Sequence, residues 1–228
     1  MPLILGASGY LGSGKSLATY GIIKDDYQEG YVIYTNRDLK ILPNKRINWN
    51  KLLTHALLGT DFPDPKIVWD FDEIEYYLDA RASMDLTHLI YSYFLYQIRK
   101  RKHRLRYTST SPYLADLRMR NETEITIKCS KWHEGKNGLM CTDPECRSFR
   151  HYFEYKVINN IEERETNVFE VHDPDATQLL NEYDSYEILS PATLLPRESL
   201  ISIMEKLHIS PEDIQKALER YDKEYDSL

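Results

Sequence analysis

One short segment restricts the fold of this chain more than any other: residues 9–16 read GYLGSGKS. The segment matches the pattern G-x-x-x-x-G-K-[ST] at every position. An apolar run at residues 2–5 precedes it, and a helical pattern over residues 17–26 follows it. Strand, glycine-rich loop and helix in this order form the context in which the pattern binds phosphate groups. A glycine-rich turn that binds nothing is the alternative interpretation.

The residue types of the motif explain how it binds a nucleotide. Glycines let backbone N–H groups turn towards phosphate oxygens, and the N-terminus of the following helix adds a partial positive charge. Lys15 can reach the β- and γ-phosphates, and the Ser16 hydroxyl is a ligand for Mg²⁺. The motif therefore predicts that ATP and Mg²⁺ are bound by Gly9, Gly12, Ser13, Gly14, Lys15, Ser16 and Leu17.

An acidic element is expected to complete the site at the end of a buried strand. Residues 66–73 read KIVWDFDE, an apolar strand that ends in two carboxylates. Asp72 is the predicted Mg²⁺ ligand, and Glu73 is the predicted general base for the attacking water. Asp70 competes with Asp72 for the metal because both lie on one face of the strand. The alternative is an acidic strand end exposed to solvent.

The rest of the first half alternates strand patterns with helix patterns. Residues 31–35 and 104–110 are rich in β-branched and aromatic residues and predict strands. Residues 50–58 and 85–102 predict helices, the second with one apolar face. This alternation predicts an α/β fold with a mostly parallel sheet.

Polar candidates for the reaction follow the last of these strands. Thr110 is expected to point at the γ-phosphate and the attacking water. Arg118 or Arg120 can neutralise charge on the ATP of a neighbouring subunit, as an arginine finger does. A surface helix with ordinary ion pairs is the alternative for both arginines.

The most basic stretch, residues 99–106, reads RKRKHRLR. Cations at a helix C-terminus complement the helix dipole, which is one interpretation of the stretch. Contact with the phosphate backbone of DNA is the other. The net charge of the whole chain is −7, so any contact with nucleic acid has to be local.

The composition of the 228 residues is that of a folded protein, with 42% hydrophobic and 29% charged residues. No apolar run approaches the ~18 residues that a membrane span needs. The first residues lack the basic and apolar regions of a signal peptide. We therefore expect the protein in the cytoplasm, which is the host cell cytoplasm if the chain is viral.

All three cysteines lie close together, and they are Cys129, Cys141 and Cys146. With His133 they form a Cys₃His set that is sufficient for a tetrahedral structural zinc. His151 is an alternative to His133, and three unligated thiols on a surface hairpin are the alternative to a metal site. Strand patterns flank the set, so we predict a zinc-stapled β-hairpin whose basic tip contacts DNA, a neighbouring subunit or a capsid protein.

The order of these features resembles the zonula occludens toxin-like ATPases and the wider HerA–FtsK group of DNA-pumping motors, which includes viral packaging ATPases. The resemblance covers about residues 1–125. It rests on the phosphate loop, the pairs Thr35-Asn36 and Asp72-Glu73, the basic stretch, and a polar strand end before Asp116 and Arg118. It implies a RecA/FtsK-like P-loop core, ATP hydrolysis, double-stranded DNA as a partner, and a homo-oligomeric ring of five or six subunits.

Two departures from that group affect what the resemblance implies. Thr110 stands where the group usually has a glutamine sensor. Zonula occludens toxin-like phage-assembly proteins also carry a membrane span after the ATPase domain, whereas this sequence has none. The second departure favours a motor without an anchor of its own, with a capsid or membrane protein as a candidate partner.

The sequence divides into three predicted regions: a P-loop ATPase core (1–125), the hairpin with its zinc knuckle (126–172), and a small C-terminal helical appendage (173–228). In the appendage, residues 198–207 and 211–225 predict a helical hairpin, with Ser210 as the N-cap of its second helix. The hairpin is acidic, which favours docking to a partner or a subunit over reading DNA.

We predict an ATP-hydrolysing motor that translocates DNA and packages viral genomic DNA as a ring. A zonula occludens toxin-like ATPase for virion assembly and extrusion is the first alternative. A P-loop kinase for a small molecule and a nucleotide-binding adaptor without hydrolysis are further alternatives.

Overall fold

The computed structural model describes residues 3–47, 49–59, 62–76, 78, 86–134, 140–141, 152–172, 175–182, 201, 204–205 and 209–226. The strands are β1 (Ile4–Ser8), β2 (Val32–Thr35), β3 (Asn44–Arg46), β4 (Ile67–Phe71), β5 (Arg104–Ser109), β6 (Ile125–Glu134), β7 (Met140–Cys141), β8 (Tyr152–Asn159) and β9 (Arg164–His172). The helices are α1 (Lys15–Gln28), α2 (Trp49–Leu58), α3 (Leu86–Arg101), α4 (Leu117–Glu122), α5 (Asp175–Leu180) and α6 (Pro211–Asp226), with one 3₁₀ turn at Ile74–Tyr76.

The strands form one mixed sheet in the order β3-β2-β4-β5-β1-β6-β8-β9, and β7 pairs with β6. All neighbours from β3 to β6 are parallel, whereas β8 is antiparallel to both of its neighbours, β6 and β9. The predicted α/β fold with a mostly parallel sheet is therefore confirmed. Because β6 pairs with β1, the hairpin predicted at 126–172 continues the main sheet.

Helices cover both faces of the sheet, as alternating apolar residues of the strands require. On one face, Leu5 and Ala7 of β1 pack with α1 through Leu17, Tyr20 and Ile23. On the other face, Ile4 belongs to a cluster formed with residues of α2, α3 and α4. The carboxyl ends of β1, β4 and β5 meet at one edge of the sheet, which is where parallel α/β folds bind ligands.

The C-terminal region is described in part. Helix α6 begins as predicted, because the Asp213 backbone N–H donates to the Ser210 hydroxyl at 3.2 Å. Most of the first predicted helix, residues 198–207, lies outside the described residues, so the helical hairpin stays a prediction. No helix within the described part of the chain is long and apolar enough to cross a membrane.

Part of the basic stretch is buried in ion pairs. The Arg106 guanidinium is fully buried and binds both carboxylate oxygens of Asp26, with Nε–Oδ2 at 2.9 Å and Nη2–Oδ1 at 3.1 Å. Arg104 pairs with the same carboxylate. The DNA interpretation therefore does not hold for these two arginines, which connect β5 to α1. Lys100 and Lys102 are exposed, at the end of β5 away from the phosphate loop.

Buried His103 leads us to expect a loss of stability in mild acid. Burial, reinforced by the Arg101 charge, lowers the pKa of His103 from 6.5 to about 4. Below pH 6.5 the unfolded chain binds a proton at this histidine, whereas the folded chain does not bind it until about pH 4. The free energy of unfolding therefore decreases as the pH is lowered from 6.5 towards 4. We expect a loss of about 2 kcal/mol between pH 7 and pH 5 from this residue.

Urea unfolding of wild type and His103→Gln at these two pH values measures the effect. The variant lacks the imidazole, so its free energy of unfolding should change less with pH than that of the wild type. Equal changes in both proteins would contradict the assignment to His103.

Candidate functional site

The phosphate loop connects β1 to α1 and is packed against β8. Gly14, the residue before α1, has a left-handed backbone with φ +85°, a conformation that favours glycine. A Cβ at this position would lie 2.5 Å from the Phe153 ring and 2.7 Å from the Tyr155 hydroxyl. That hydroxyl donates to the Gly14 carbonyl at 3.2 Å. Strand β8 therefore helps to set the shape of the loop.

Two side chains of the loop, Lys15 and Ser13, carry donors that suit an anionic ligand. The Lys15 side chain is buried, and its ammonium donates to the Tyr10 carbonyl at 3.2 Å. The Ser13 hydroxyl is also buried and has no hydrogen-bond partner among the residues that the structure describes. A phosphate oxygen would satisfy it, because a buried polar group without a partner is costly. Leu17 packs its side chain into the core, so only its backbone N–H can meet a phosphate.

The acidic strand end lies against the first turn of α1. Asp72 Oδ1 accepts hydrogen bonds from the Ser16 hydroxyl at 2.9 Å and from the Thr108 hydroxyl at 2.7 Å. Asn36 holds the backbone of Asp72 on both sides, since its amide donates to the Asp72 carbonyl and accepts from the Asp72 N–H, each at 2.8 Å. The two predicted Mg²⁺ ligands, Ser16 and Asp72, thus lie together, and Asp72 is held by Asn36 after β2 and by Thr108 of β5.

The oxygen atoms at this point fit a magnesium ion. Mg²⁺ prefers oxygen ligands and is commonly held by one carboxylate together with phosphate oxygens and water. Ser16 and Asp72 supply a hydroxyl and a carboxylate next to the loop whose lysine is Lys15. These two residues would hold the ion.

Glu73 follows Asp72 in a left-handed backbone conformation, with φ 51°. The Glu73 N–H donates to the Thr108 hydroxyl at 2.7 Å, so one threonine contacts both acidic residues. Burial, and then the negative charges of Asp72 and Glu75, raises the pKa of the Glu73 carboxyl. A carboxylate with a raised pKa is a stronger base, as proton abstraction from water requires.

Asp70 has a different role from Asp72. Asp70 is fully buried, and its carboxylate accepts from Arg37 Nε at 2.8 Å and from the Thr35 hydroxyl at 2.7 Å. Burial raises the pKa of Asp70, and the Arg37 charge opposes that shift. Because this carboxylate is already occupied by protein groups, the geometry favours Asp72 over Asp70 as the metal ligand.

The threonine at the acidic residues is Thr108, whereas the sequence pointed to Thr110. The backbone N–H and hydroxyl of Thr110 both donate to Glu75 Oε1, at 2.8 and 2.7 Å. Thr108 lies within β5, whereas Thr110 follows the end of that strand. The two threonines are distinguished by their contacts with the segment after β4, since Thr108 binds Asp72 and Glu73 and Thr110 binds Glu75.

The two candidate arginines lie on α4, on the face of the sheet opposite α1. Arg118 is half exposed, and its guanidinium lies 3.8 Å from the Asp116 carboxylate. Arg120 lies over the Tyr113 ring and lines a cavity of about 220 Å³, and its buried Nε has no partner in the described residues. Their placement across the sheet from α1 is compatible with action on a neighbouring subunit, and the finger role stays a prediction.

Within the described residues, the structure separates two of the predicted zinc ligands, Cys129 and His133. Cys129 of β6 is buried in the hydrophobic core, and its thiol donates to the Ile127 carbonyl. Burial raises the pKa of this thiol to about 12. His133 lies four residues further along the same strand, about 13 Å away, and pairs with Cys141 of β7. One zinc ion cannot join Cys129 and His133 at that separation, because zinc–ligand bonds are only ~2.0–2.3 Å long.

The rest of the predicted zinc set is less fully described. Cys146 and the alternative ligand His151 lie outside the described residues, as do the side chains of His133 and Cys141. Within the described part of the chain, no group of three or more His, Cys, Asp and Glu residues could hold a metal ion. The Cys₃His set is therefore not confirmed: Cys129 and His133 cannot share one zinc ion, and the set with His151 stays a prediction.

Comparison with known proteins finds a shared fold among solved structures. No protein-family model and no curated protein sequence matches the chain. The N-terminal domain of zonular occludens toxin from Neisseria meningitidis is similar in structure, with a TM-score of 0.53 and 14% identity over 81% of this chain and all of that domain. This chain shares the fold of that domain. The predicted resemblance to the zonula occludens toxin-like group is thus confirmed at the level of the fold.

Two further structures are similar at lower TM-scores. The genome packaging NTPase B204 from Sulfolobus turreted icosahedral virus 2, in complex with ATP-gammaS, has a TM-score of 0.47 and 10% identity over 76% of this chain and 98% of B204. The pCW3 conjugation coupling protein TcpA, with ATPgS, has a TM-score of 0.45 and 12% identity over 79% of this chain and 65% of TcpA.

Proposed function

We propose that this chain binds and hydrolyses ATP with Mg²⁺. The observation that carries the proposal is the 2.9 Å contact between the Ser16 hydroxyl and the Asp72 carboxylate, next to a phosphate loop. A phosphate loop alone indicates nucleotide binding, whereas hydrolysis also needs a metal ligand and a base on the neighbouring strands. Asp72 and Glu73 supply both at the end of β4.

Each group has a defined task in this proposal. Lys15 and the N–H groups at the start of α1 bind the phosphates, and Ser16 and Asp72 hold Mg²⁺. Magnesium, when bound, neutralises charge on the β- and γ-phosphate oxygens. Glu73 orients the attacking water and takes its proton at the carboxylate. Thr108 fixes the positions of the Asp72 carboxylate and the Glu73 backbone through its two hydrogen bonds.

We further propose that hydrolysis drives translocation of double-stranded DNA, with packaging of viral genomic DNA by a ring of subunits as the biological task. The resemblance of the motifs to DNA-pumping motors supports this proposal. Exposed Lys100 and Lys102 offer cations to a phosphate backbone. In a ring, Arg118 or Arg120 would act on the ATP of the next subunit.

A virion-assembly ATPase is the alternative, and the fold shared with the zonular occludens toxin domain favours it. Such a protein would use the same ATP site, and a protein partner would replace DNA. A small-molecule kinase is the less favoured alternative, because the Asp72–Glu73 pair suits activation of water, whereas a kinase needs a lid and a pocket for a phosphoryl acceptor.

Steady-state ATP hydrolysis with and without double-stranded DNA tests the motor proposal. We expect DNA to stimulate turnover several-fold, and we expect the double variant Lys100→Glu/Lys102→Glu to lose most of that stimulation. Lys216→Glu is the matched control, since Lys216 is an exposed lysine on α6. Turnover that is indifferent to DNA in all proteins would contradict the motor and favour the assembly ATPase.

A further inference from the structure

Arg37 is a buried arginine that the sequence motifs do not account for. It is the second residue after the end of β2, and its side chain is only 2% exposed. A guanidinium remains charged in proteins, so its burial needs acceptors for its donors. The acceptors come from β4, which Asp72 directly follows, and from α1, which contains Ser16.

The contacts of Arg37 connect three segments of the fold. Nε and Nη2 donate to the two oxygens of Asp70, at 2.8 and 3.2 Å, and Asp70 precedes Asp72 by two residues. Nη1 donates to the Ser16 carbonyl at 3.0 Å, and Nη2 also donates to the Thr19 hydroxyl at 3.1 Å. One planar group thus fixes the end of β4 against the first turn of α1.

We propose that Arg37 is a positioning residue that holds the two magnesium-binding side chains, Ser16 and Asp72, at their working separation. This inference rests on the proposed ATP-binding function. The Arg37 Nη1 atom also lies 4.0 Å from Asp72 Oδ1, so its charge keeps the Asp72 carboxylate near the Ser16 hydroxyl. Arg37 itself does not touch the nucleotide.

The shape of the guanidinium decides which variant tests this role. Lysine keeps the positive charge next to Asp70, but its single ammonium lacks the planar fork that reaches Asp70, Ser16 and Thr19 together. Arg37→Lys should therefore preserve the buried ion pair and loosen the connection between β4 and α1.

Arg106→Lys is the matched control. Arg106 is equally buried and binds both oxygens of a buried aspartate, Asp26, away from the phosphate loop. Each variant loses one buried guanidinium that binds both carboxylate oxygens of an aspartate. Only Arg37→Lys disturbs the residues that hold Mg²⁺.

The measurement is the affinity for a fluorescent, non-hydrolysable ATP analogue, determined in EDTA and in Mg²⁺. We expect Mg²⁺ to tighten binding to the wild type and to Arg106→Lys by about tenfold or more. For Arg37→Lys we expect unchanged affinity in EDTA and a tightening by Mg²⁺ of less than about threefold. Equal tightening in Arg37→Lys and wild type would overturn the positioning role.

Two further results complete the test. If the wild type binds the analogue without any effect of Mg²⁺, the proposed ATPase site fails and this inference fails with it. If Arg37→Lys does not fold, Thr19→Val removes one acceptor of the Arg37 guanidinium at nearly constant volume. We expect the same selective loss of Mg²⁺ tightening in that variant, of smaller size, and full tightening would overturn the proposal.

Discussion

A chain carrying Glu73→Gln should bind ATP as tightly as the wild type and hydrolyse it about 10²–10⁴-fold more slowly. Glutamine has nearly the shape of glutamate but cannot take a proton from water. The Glu73 N–H contact with Thr108 is made by the backbone, so the substitution leaves it in place. Nucleotide binding by fluorescence and phosphate release by a coupled assay separate the two effects.

Glu163→Gln provides a matched control for the backbone of this variant. Glu163 has a left-handed φ of 52°, close to the 51° of Glu73, and lies between β8 and β9. The control should hydrolyse ATP at the wild-type rate. Undiminished turnover in Glu73→Gln would contradict the assignment of the base, and joint loss of binding and turnover would indicate that the site is distorted instead.

Lys15→Ala should weaken ATP binding by about 100-fold, because charge-assisted hydrogen bonds to phosphate are lost together. The Lys15 ammonium donates to the Tyr10 carbonyl at 3.2 Å, which places it within the predicted phosphate loop. Equilibrium binding of ATP with Mg²⁺ measures the change.

Lys24→Ala is the control for this variant. Lys24 lies on the same helix, about 13 Å further along, and its ammonium pairs with Glu182 at 2.7 Å. The control should bind ATP normally, and thermal unfolding should show both variants folded. Wild-type affinity in Lys15→Ala would exclude the loop as the phosphate site.

The phosphate loop and the acidic strand end can be predicted from the sequence because each is a continuous pattern. Residues 9–16 carry their spacing within one loop, and residues 67–71 form a buried strand because four of the five side chains are apolar. The alternation of strands and helices gives the parallel sheet, and the sheet places these segments at one edge.

Contacts between distant segments explain what the sequence does not predict. Arg37 and Asp70 are 33 residues apart and form a buried pair only after β2 and β4 align in parallel. Cys129 looks like a metal ligand because of its sequence neighbours, but the register of β6 places it opposite Tyr155, in the core beside the phosphate loop. Local spacing predicted that Cys129 and His133 share a zinc ion, and strand pairing separates these two residues.

Mg²⁺-dependent ATP hydrolysis by the purified chain tests the central claim most directly. Phosphate release should be measured for wild type and Lys15→Ala, with Mg²⁺ or EDTA, and with double-stranded DNA present throughout. The account predicts that the wild type releases phosphate in Mg²⁺ but not in EDTA, and that its rate in Mg²⁺ is well above the Lys15→Ala background. Tight ATP binding by the wild type without release above that background would contradict it.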